Sequence, residues 1–219
     1  MSVPDRKLLT AGMTGGIACG RSTLGRLFTR LGAFVIDMDE LAHQLMASGG
    51  AAVKPVTEAL GTAVSHPSGG IDRRALARLV FSDAAARAKL EGILHPMILD
   101  AAQRLIDDYG AKHARGIVIV DAALLVETGG WRRYQRLVVV TCDPELQLQR
   151  LMARDQLGEA DARARIAAQA PLEEKVRVAD YVIDTSGTLA ESESRAHEVY
   201  AQLVEDLDRL PDLPSRRQG

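Results

Sequence analysis

The sequence predicts an α/β fold in which a parallel sheet is flanked by helices on both faces. Three observations lead to this prediction: five short apolar segments recur along the chain, helix-like segments separate them, and a glycine-rich loop joins the first apolar segment to the first helix. Strands covered on both faces are continuously apolar rather than alternating, so these segments indicate parallel strands. The predicted strands are residues 8–13, 33–37, 116–120, 137–140 and 181–184.

Helices are predicted at residues 22–31, 144–154 and 189–210. Pro144 suits the first turn of its helix, where a missing N–H removes no hydrogen bond. The C-terminal residues 212–219 are expected to form a frayed tail.

A long helical block occupies residues 40–109, between the second and third strands. Glycines and a proline interrupt it at residues 61–70, and further helices are predicted to start at Asp72 and Asp83. His95 precedes Pro96, which predicts a helix boundary at that point. The block is too long for a simple crossover helix, so it predicts an inserted helical subdomain of the kind that closes over a substrate.

The composition is that of an ordinary globular protein, with 219 residues, of which 47% are hydrophobic and 26% charged. A net charge of −2 gives no electrostatic reason to expect nucleic acid or a membrane as a partner. The sequence has neither the apolar region of a signal peptide near its start nor a stretch long enough to cross a bilayer. Cys19 and Cys142 are far apart in sequence, so no disulfide framework is expected. These features predict a cytoplasmic protein.

Residues 15–22 have the spacing of a phosphate-binding loop, G-x-x-x-x-G-K-[ST], with Arg21 in the place of the lysine. Such a loop directs backbone N–H groups at an anion, and the helix that follows adds a favourable partial charge. The alternative is a glycine-rich turn that Ser22 caps without any ligand. We favour the phosphate site because strand, glycines, cation and hydroxyls occur in the required order. The residues predicted to bind the nucleotide are Gly15, Gly16, Ile17, Ala18, Cys19, Gly20, Arg21, Ser22 and Thr23.

Arg21 keeps the positive charge of the usual lysine but not its shape, because a guanidinium is a wide planar fork. Loss of one well-placed donor costs about 100- to 1000-fold in rate. Two outcomes stay open: slow turnover, or a loop adjusted to arginine. Cys19 lies near a helix N-terminus, where the pKa of a thiol tends to fall, although a small residue filling a loop position is the plainer interpretation.

Two aspartates, Asp37 and Asp39, follow the second predicted strand, and ligands of open parallel sheets bind beyond such strand ends. Side chains two apart on a strand share a face, so both carboxylates could reach one site. One would hold Mg²⁺ or its waters, and the other would accept a proton from an attacking hydroxyl. The alternative is that Asp39 caps a helix starting near Glu40. Asp121 ends the third strand, where it resembles the Walker-B aspartate for Mg²⁺ or simply begins a turn.

Arg150 and Arg154 lie four residues apart and share a helix face, ahead of a charged segment at residues 155–169. In a nucleotide kinase, a lid at this position brings arginines to the charge on the phosphoryl oxygens. The alternative is a solvated helix face with Arg–Asp pairs. The positions of His43 and His95 in the sequence do not match the ligand spacing of a zinc site.

Taken in order, these features resemble the bacterial dephospho-coenzyme A kinases over residues 8 to about 189. No single stretch is decisive, but their order and spacing together are specific. The stretches that carry the resemblance are TGGI at 14–17, VIDMD at 35–39, IDRRAL at 71–76, LHP at 94–96, LLVE at 124–127, RLMARD at 150–155 and ADYVID at 179–184.

The resemblance implies a P-loop nucleoside-kinase-like fold: a five-stranded parallel sheet, an inserted helical substrate subdomain and a helical lid. It implies a single domain over residues 1–219, with its core at 7–40, 112–150 and 180–210, the insert at 41–111 and the lid at 150–178. The implied reaction transfers the γ-phosphoryl group of ATP, with Mg²⁺, to the 3′-hydroxyl of dephospho-CoA, the last step of coenzyme A biosynthesis. A monomer or weak homo-oligomer is expected.

The resemblance also implies roles for particular residues. Asp39 is the expected general base, and Arg21 and Arg150 are the expected catalytic cations. Besides the loop, Arg150, Arg154, Ser186 and Gly187 are expected at the nucleotide, and Ser22, Asp37 and Asp121 at the metal. The expected acceptor-site residues are Asp37, Asp39, His43, Arg74, His95, Leu124 and Glu127.

Three departures from the family pattern are visible: Arg21 in the loop, His43 where arginine is common, and residues 121–123 before LLVE. Two alternatives therefore stay open. The chain could be a catalytically impaired nucleotide- or CoA-binding regulatory protein, or a P-loop kinase for another small-molecule hydroxyl.

Overall fold

The computed structural model describes residues 7–210, which contain five strands and nine α-helices. The chain divides into two compact units, one formed by Met1–Ile36 with Tyr109–Gly219 and the other by Asp37–Asp108. The tail expected at residues 212–219 lies outside the described residues. The strands are β1 (Lys7–Gly15), β2 (Phe34–Asp37), β3 (Arg115–Asp121), β4 (Arg136–Thr141) and β5 (Tyr181–Asp184). The helices are α1 (Arg21–Arg30), α2 (Met38–Met46), α3 (Val53–Leu60), α4 (Arg73–Ser82), α5 (Ala84–Lys112), α6 (Pro144–Asp155), α7 (Glu159–Ala167), α8 (Leu172–Arg177) and α9 (Leu189–Asp208).

The strands form one sheet in the order β2-β3-β1-β4-β5, and β1 pairs in parallel with both β3 and β4. This confirms the predicted five-stranded parallel sheet. β1 extends two residues beyond its predicted end because Thr14 and Gly15 pair with Val139 and Val140 of β4. A Cβ at Gly15 would lie 2.2 Å from the Val140 carbonyl oxygen, so this register requires glycine there.

The core of the first unit lies between the sheet and the helices α1 and α9. Leu9 and Met13 of β1, Phe28 of α1 and Leu203 of α9 are fully buried in one cluster. Burial of side chains of this size contributes about 1.5–3 kcal/mol each, so β1 is held firmly on its apolar face. The loop that follows β1 therefore starts from a strand whose position is fixed by the core. Among residues 7–210, no helix combines the length and apolar character needed to cross a membrane.

The second unit is helical, as predicted, and has a core of its own. Val56, Val64, Ile71 and Leu76 are buried in a separate cluster. Asp72 begins α4 as its N-cap, with its carboxylate accepting from two backbone N–H groups. The Asp83 carboxylate does the same ahead of α5, which confirms both predicted helix starts.

The helix boundary predicted at His95 and Pro96 is wrong, since Pro96 lies inside the 29-residue helix α5. The apolar positions that pack in the second unit continue on both sides of the proline, from Leu94 to Met97. This packing outweighs the loss of one backbone hydrogen bond, which is the main local cost of an interior proline.

A buried polar group fixes α9 against the sheet. The Asp206 carboxylate accepts from Arg136 at 2.6 and 2.9 Å and from the Tyr181 hydroxyl at 2.6 Å. Burial opposes ionisation of Asp206, but these hydrogen bonds outweigh it and hold the pKa of Asp206 below its usual range.

Asp206→Asn is therefore expected to lower the free energy of unfolding by about 1.5–3 kcal/mol at neutral pH, the cost of hydrogen bonds to a charged group. Because the folded pKa is depressed, this stabilisation exists above the usual carboxyl pKa of about 3.9 and is lost as pH falls through the folded pKa. Urea titrations from pH 7 down to pH 3 should show the gap between wild type and variant narrowing. A gap that does not change with pH would contradict the assignment.

Candidate active site

The loop at residues 15–22 joins β1 to α1 and has the backbone geometry of an anion-binding turn. Gly20 precedes α1 with a φ of 90°, and Ala18 has a φ of 61°, both in the left-handed region. No side chain caps α1. The cap that the alternative interpretation assigns to Ser22 is therefore wrong, because Ser22 is the second residue of the helix. An uncapped helix N-terminus behind a glycine-rich loop is a ready site for phosphate.

Side chains from three later segments hold this loop in place. The Gln169 side chain accepts from the Ile17 N–H at 2.7 Å, and the Gln147 side chain donates to the Ile17 carbonyl at 2.9 Å. The Thr185 hydroxyl donates to the Cys19 carbonyl at 2.9 Å. Gln147 lies on α6, Gln169 lies between α7 and α8, and Thr185 directly follows β5, so residues distant in sequence fix the loop.

Arg21 forms a short ion pair with Asp121, the last residue of β3. The Arg21 side chain is 16% exposed and that of Asp121 is 5% exposed, so solvent screens the pair only weakly. The cation of the loop and the Walker-B-like aspartate are therefore brought together. A phosphate ligand of Arg21 would have to share the guanidinium with Asp121, or replace it, which a five-donor fork permits better than an ammonium.

Lys175 of α8 is a buried cation that the sequence reasoning missed. Its side chain is fully buried, and its ammonium lies 2.6 Å from the Glu127 carboxylate. It also donates to the carbonyls of Ala123 at 3.1 Å and Gly15 at 3.5 Å. Lys175 thus connects the start of the phosphate-binding loop to the segment that follows Asp121.

The two arginines of α6 have different surroundings. Arg150 donates to the hydroxyl of Thr185 at 3.1 Å and to its carbonyl at 2.9 Å, next to the loop. Arg154 is exposed and pairs with Asp155, which also binds Arg165 of α7. The predicted lid segment, residues 150–178, consists of the end of α6 with α7 and α8. Of the two arginines, Arg150 has the contacts that tie it to the phosphate-binding loop.

Asp37 and Asp39 do not share a strand face, so the strand geometry expected for this pair is wrong. β2 ends at Asp37 and α2 starts at once, because the Asp37 carboxylate accepts from the N–H groups of Asp39 and Glu40 at 2.9 and 3.1 Å. The alternative that Asp39 caps the helix is also wrong, since the cap is Asp37. Asp39 lies exposed in the first turn of α2, beside the backbone that Asp37 fixes.

The remaining predicted residues are distributed over both units. His43 lies 3.8 Å from Glu40 on α2, and Arg74 and His95 are exposed on α4 and α5. In the first unit, Leu124 is 47% exposed, and Glu127 is paired as described. The Ser186 hydroxyl accepts from the Asp143 N–H at 2.8 Å and so links the end of β5 to the start of α6, and Gly187 follows it.

The two cysteines, which are distant in sequence, meet beside the loop. The Sγ atoms of Cys19 and Cys142 are 2.9 Å apart, and both residues are free thiols. The pKa of Cys142 is lowered, first by its hydrogen bond with Cys19 and then by the charge of Arg150. The same hydrogen bond, together with burial, raises the pKa of Cys19. Cys142 is therefore the more acidic thiol of the pair.

The chain is similar to known proteins in both sequence and fold. A family model described as dephospho-CoA kinase matches residues 9–191. A dephospho-CoA kinase from Geobacter sulfurreducens is 42% identical over 191 residues, which is 87% of this chain and 96% of its own. The crystal structure of TT1252 from Thermus thermophilus has a TM-score of 0.76 at 32% identity, covering 90% of this chain and 98% of its own. A Campylobacter jejuni dephospho-CoA kinase has a TM-score of 0.61 at 25% identity, with the same coverage.

Proposed function

Because the chain belongs to the dephospho-CoA kinase family, we propose that it transfers the γ-phosphoryl group of ATP to the 3′-hydroxyl of dephospho-CoA, with residues 15–23 binding the triphosphate. The observation that carries the proposal is the family match over residues 9–191, which includes both the loop and the helical unit Asp37–Asp108. The uncapped N-terminus of α1 supports ATP as the donor, because it offers backbone N–H groups to phosphate oxygens.

We propose that Mg²⁺ is held by Ser22 and Asp121, with Asp37 as a further oxygen donor. Hydroxyl and carboxylate oxygens are the ligands that Mg²⁺ prefers, and it usually takes one or two of them from the protein and the rest from phosphates and water. Among residues 7–210, no three His, Cys, Asp or Glu side chains gather into a metal site of their own. Ser22, Asp121 and Asp37 would each offer one side-chain oxygen, which fits an ion that takes its remaining ligands from the nucleotide phosphates and water. When bound, the ion supplies neutralisation of the phosphate charge.

The proposed roles of the other residues follow from charge and position. Asp39 would accept the proton of the acceptor hydroxyl, and Arg150 would neutralise charge on the transferred group from its place beside Thr185. Arg154 would assist from the exposed side of α6, and Ser186 and Gly187 would border the base of the nucleotide. His43, Arg74, His95, Leu124 and Glu127 would contribute to the acceptor site.

The decisive experiment measures ADP release by the purified protein with MgATP, with and without dephospho-CoA. We expect turnover that depends on the acceptor. Arg21→Ala should lower kcat by about 100- to 1000-fold, since it removes a charged donor at the phosphates. Arg21→Lys should retain most turnover, because the charge and the pairing to Asp121 are kept. Arg30→Ala changes an exposed arginine of the same helix, which pairs with Glu193, and is the matched control, expected to leave kcat unchanged.

Three outcomes would contradict the proposal. Turnover only in Arg21→Lys would mean a kinase scaffold disabled at one residue. ATP binding without turnover in any variant would favour a nucleotide-binding regulatory protein. ADP release that responds to another small-molecule alcohol but not to dephospho-CoA would mean a different acceptor.

A further inference from the structure

The side chains of the two cysteines lie in contact, and the proposed reaction uses neither thiol. Their Sγ atoms are 2.9 Å apart although 123 residues separate them in sequence. Cys19 is fully buried and Cys142 is 6% exposed. A disulfide bond is about 2.05 Å long, so the two sulfurs have to approach each other by nearly 1 Å. That approach needs no movement of a whole helix or strand. Among the described residues, the two cysteines belong to no group of three His, Cys, Asp or Glu side chains that could hold a metal ion.

A disulfide between the two cysteines would affect the phosphate-binding loop because of where the two residues lie. Cys19 lies in the middle of the phosphate-binding loop, where its N–H donates to the Gly16 carbonyl and its own carbonyl accepts from Thr185. Cys142 lies between the end of β4 and Asp143, the N-cap of α6. A covalent bond between them would tie the loop to the start of the helix that carries Arg150.

We propose that Cys19 and Cys142 form a reversible oxidation site, in which a peroxide converts the two thiols to an intramolecular disulfide. The Cys142 thiolate attacks one oxygen of the peroxide, the O–O bond breaks, and water leaves after taking up a proton, which gives a sulfenic acid at Cys142. The Cys19 sulfur then attacks the Cys142 sulfur, the S–S bond forms, and a second water leaves with the Cys19 proton. Two electrons pass from the sulfurs to the peroxide, and a dithiol reductant returns them.

The electrostatics assign the two sulfurs different parts in this sequence. The hydrogen bond with Cys19, followed by the charge of Arg150, lowers the pKa of Cys142, so Cys142 is the sulfur that attacks. Cys19 keeps its proton longer and lies within reach as the resolving thiol. The roles cannot easily be exchanged, because Cys19 is the more buried of the two.

Oxidation should inhibit the enzyme, and this part of the inference rests on the proposed function. Closing the gap of nearly 1 Å bonds the middle of the loop to the residue before the Asp143 cap of α6, so the loop can no longer adjust to the triphosphate independently of that helix. A misplacement of about 1 Å at such a site costs about 100-fold, which we expect as a lower kcat/KM for ATP. The expected change is a higher KM for ATP that dithiothreitol reverses.

The test treats the full-length protein with hydrogen peroxide and then counts free thiols after denaturation. Wild type should fall from two thiols to none, lose about 2 Da, and yield one non-reduced peptide pair that contains Cys19 and Cys142. Dithiothreitol should restore both thiols and the KM for ATP. Cys142→Ala should resist inactivation by the same treatment, and its thermal unfolding midpoint shows whether it is folded.

Two results would overturn the inference. One is the survival of both thiols in a folded protein at a peroxide concentration that oxidises glutathione. The other is a sulfinic acid at either cysteine without a linked peptide pair. The thiol count and the peptide masses do not depend on activity, so they stay decisive even if the protein phosphorylates nothing. In that case the proposed function fails and the oxidation site stands.

Discussion

Asp39→Asn is expected to lower acceptor-dependent turnover by about 100- to 10,000-fold, the usual contribution of a general base, while ATP binding is retained. The substitution removes the negative charge and the proton acceptor from the Asp39 side chain. The cap of α2 uses the carboxylate of Asp37 and the backbone N–H of Asp39, so it is intact in the variant. The loop at residues 15–22 is likewise unaltered.

The chain offers a matched control in the next residue. Glu40 lies in the same turn of α2, is exposed like Asp39, and also donates its N–H to Asp37. Glu40→Gln therefore removes one carboxylate charge from the same turn and should leave kcat unchanged. ADP release gives the turnover, and calorimetric titration with ATP gives the affinity. If Asp39→Asn turns over at the wild-type rate, Asp39 is not the base.

The largest effect on stability is expected for Lys175→Met. The substitution leaves Glu127 without its cation in a partly dry site, which costs about 3 kcal/mol of unfolding free energy. This is the lower end of the range for a broken buried pair, because the Glu127 side chain is 21% exposed. The Ala123 carbonyl also loses a donor, although it still accepts from Thr14.

A double-mutant cycle separates the pair from its surroundings. Glu127→Leu alone should also destabilise the fold, since it leaves a fully buried ammonium, whereas the double variant should recover much of the loss because the site becomes apolar. Urea unfolding followed by Trp131, the one tryptophan of the sequence, reports on the unit that contains both residues. Arg195→Met is the control: Arg195 pairs with Glu198 at the surface of the same unit, 3.1 Å away, and should cost under about 1 kcal/mol. Additive single effects would contradict a direct interaction.

Most of the sheet can be predicted from the sequence because strands that are buried on both faces consist of continuous apolar residues. Residues 181–184 form β5 with the predicted ends, and the Asp72 and Asp83 helix starts follow from local capping chemistry. The extension of β1 to Gly15 depends on its partner Val140, which no local pattern specifies. At Pro96, packing in the second unit outweighs a local rule that is usually reliable.

Some features of the candidate site can also be predicted from the sequence, and others are visible only in the structure. The loop geometry follows from the spacing of its glycines, but the role of Asp37 as the cap of α2 depends on where the strand stops, and two aspartates in sequence fit either choice. Lys175 and Glu127 are 48 residues apart, and an E-E-K segment in sequence is typical of an exposed helix. Only the folded chain shows that this lysine is buried against the Gly15 carbonyl.

The sheet order has a consequence for how the acceptor specificity of such a protein can diverge. The unit Asp37–Asp108 is a single continuous insertion between β2, at the sheet edge, and β3, its neighbour. Its core contains only its own residues, so it can change in sequence without altering the strand register around β1. Because the proposed function assigns most acceptor residues to this unit, we expect that exchange of this one continuous segment changes the substrate choice and leaves the nucleotide-binding residues as they are.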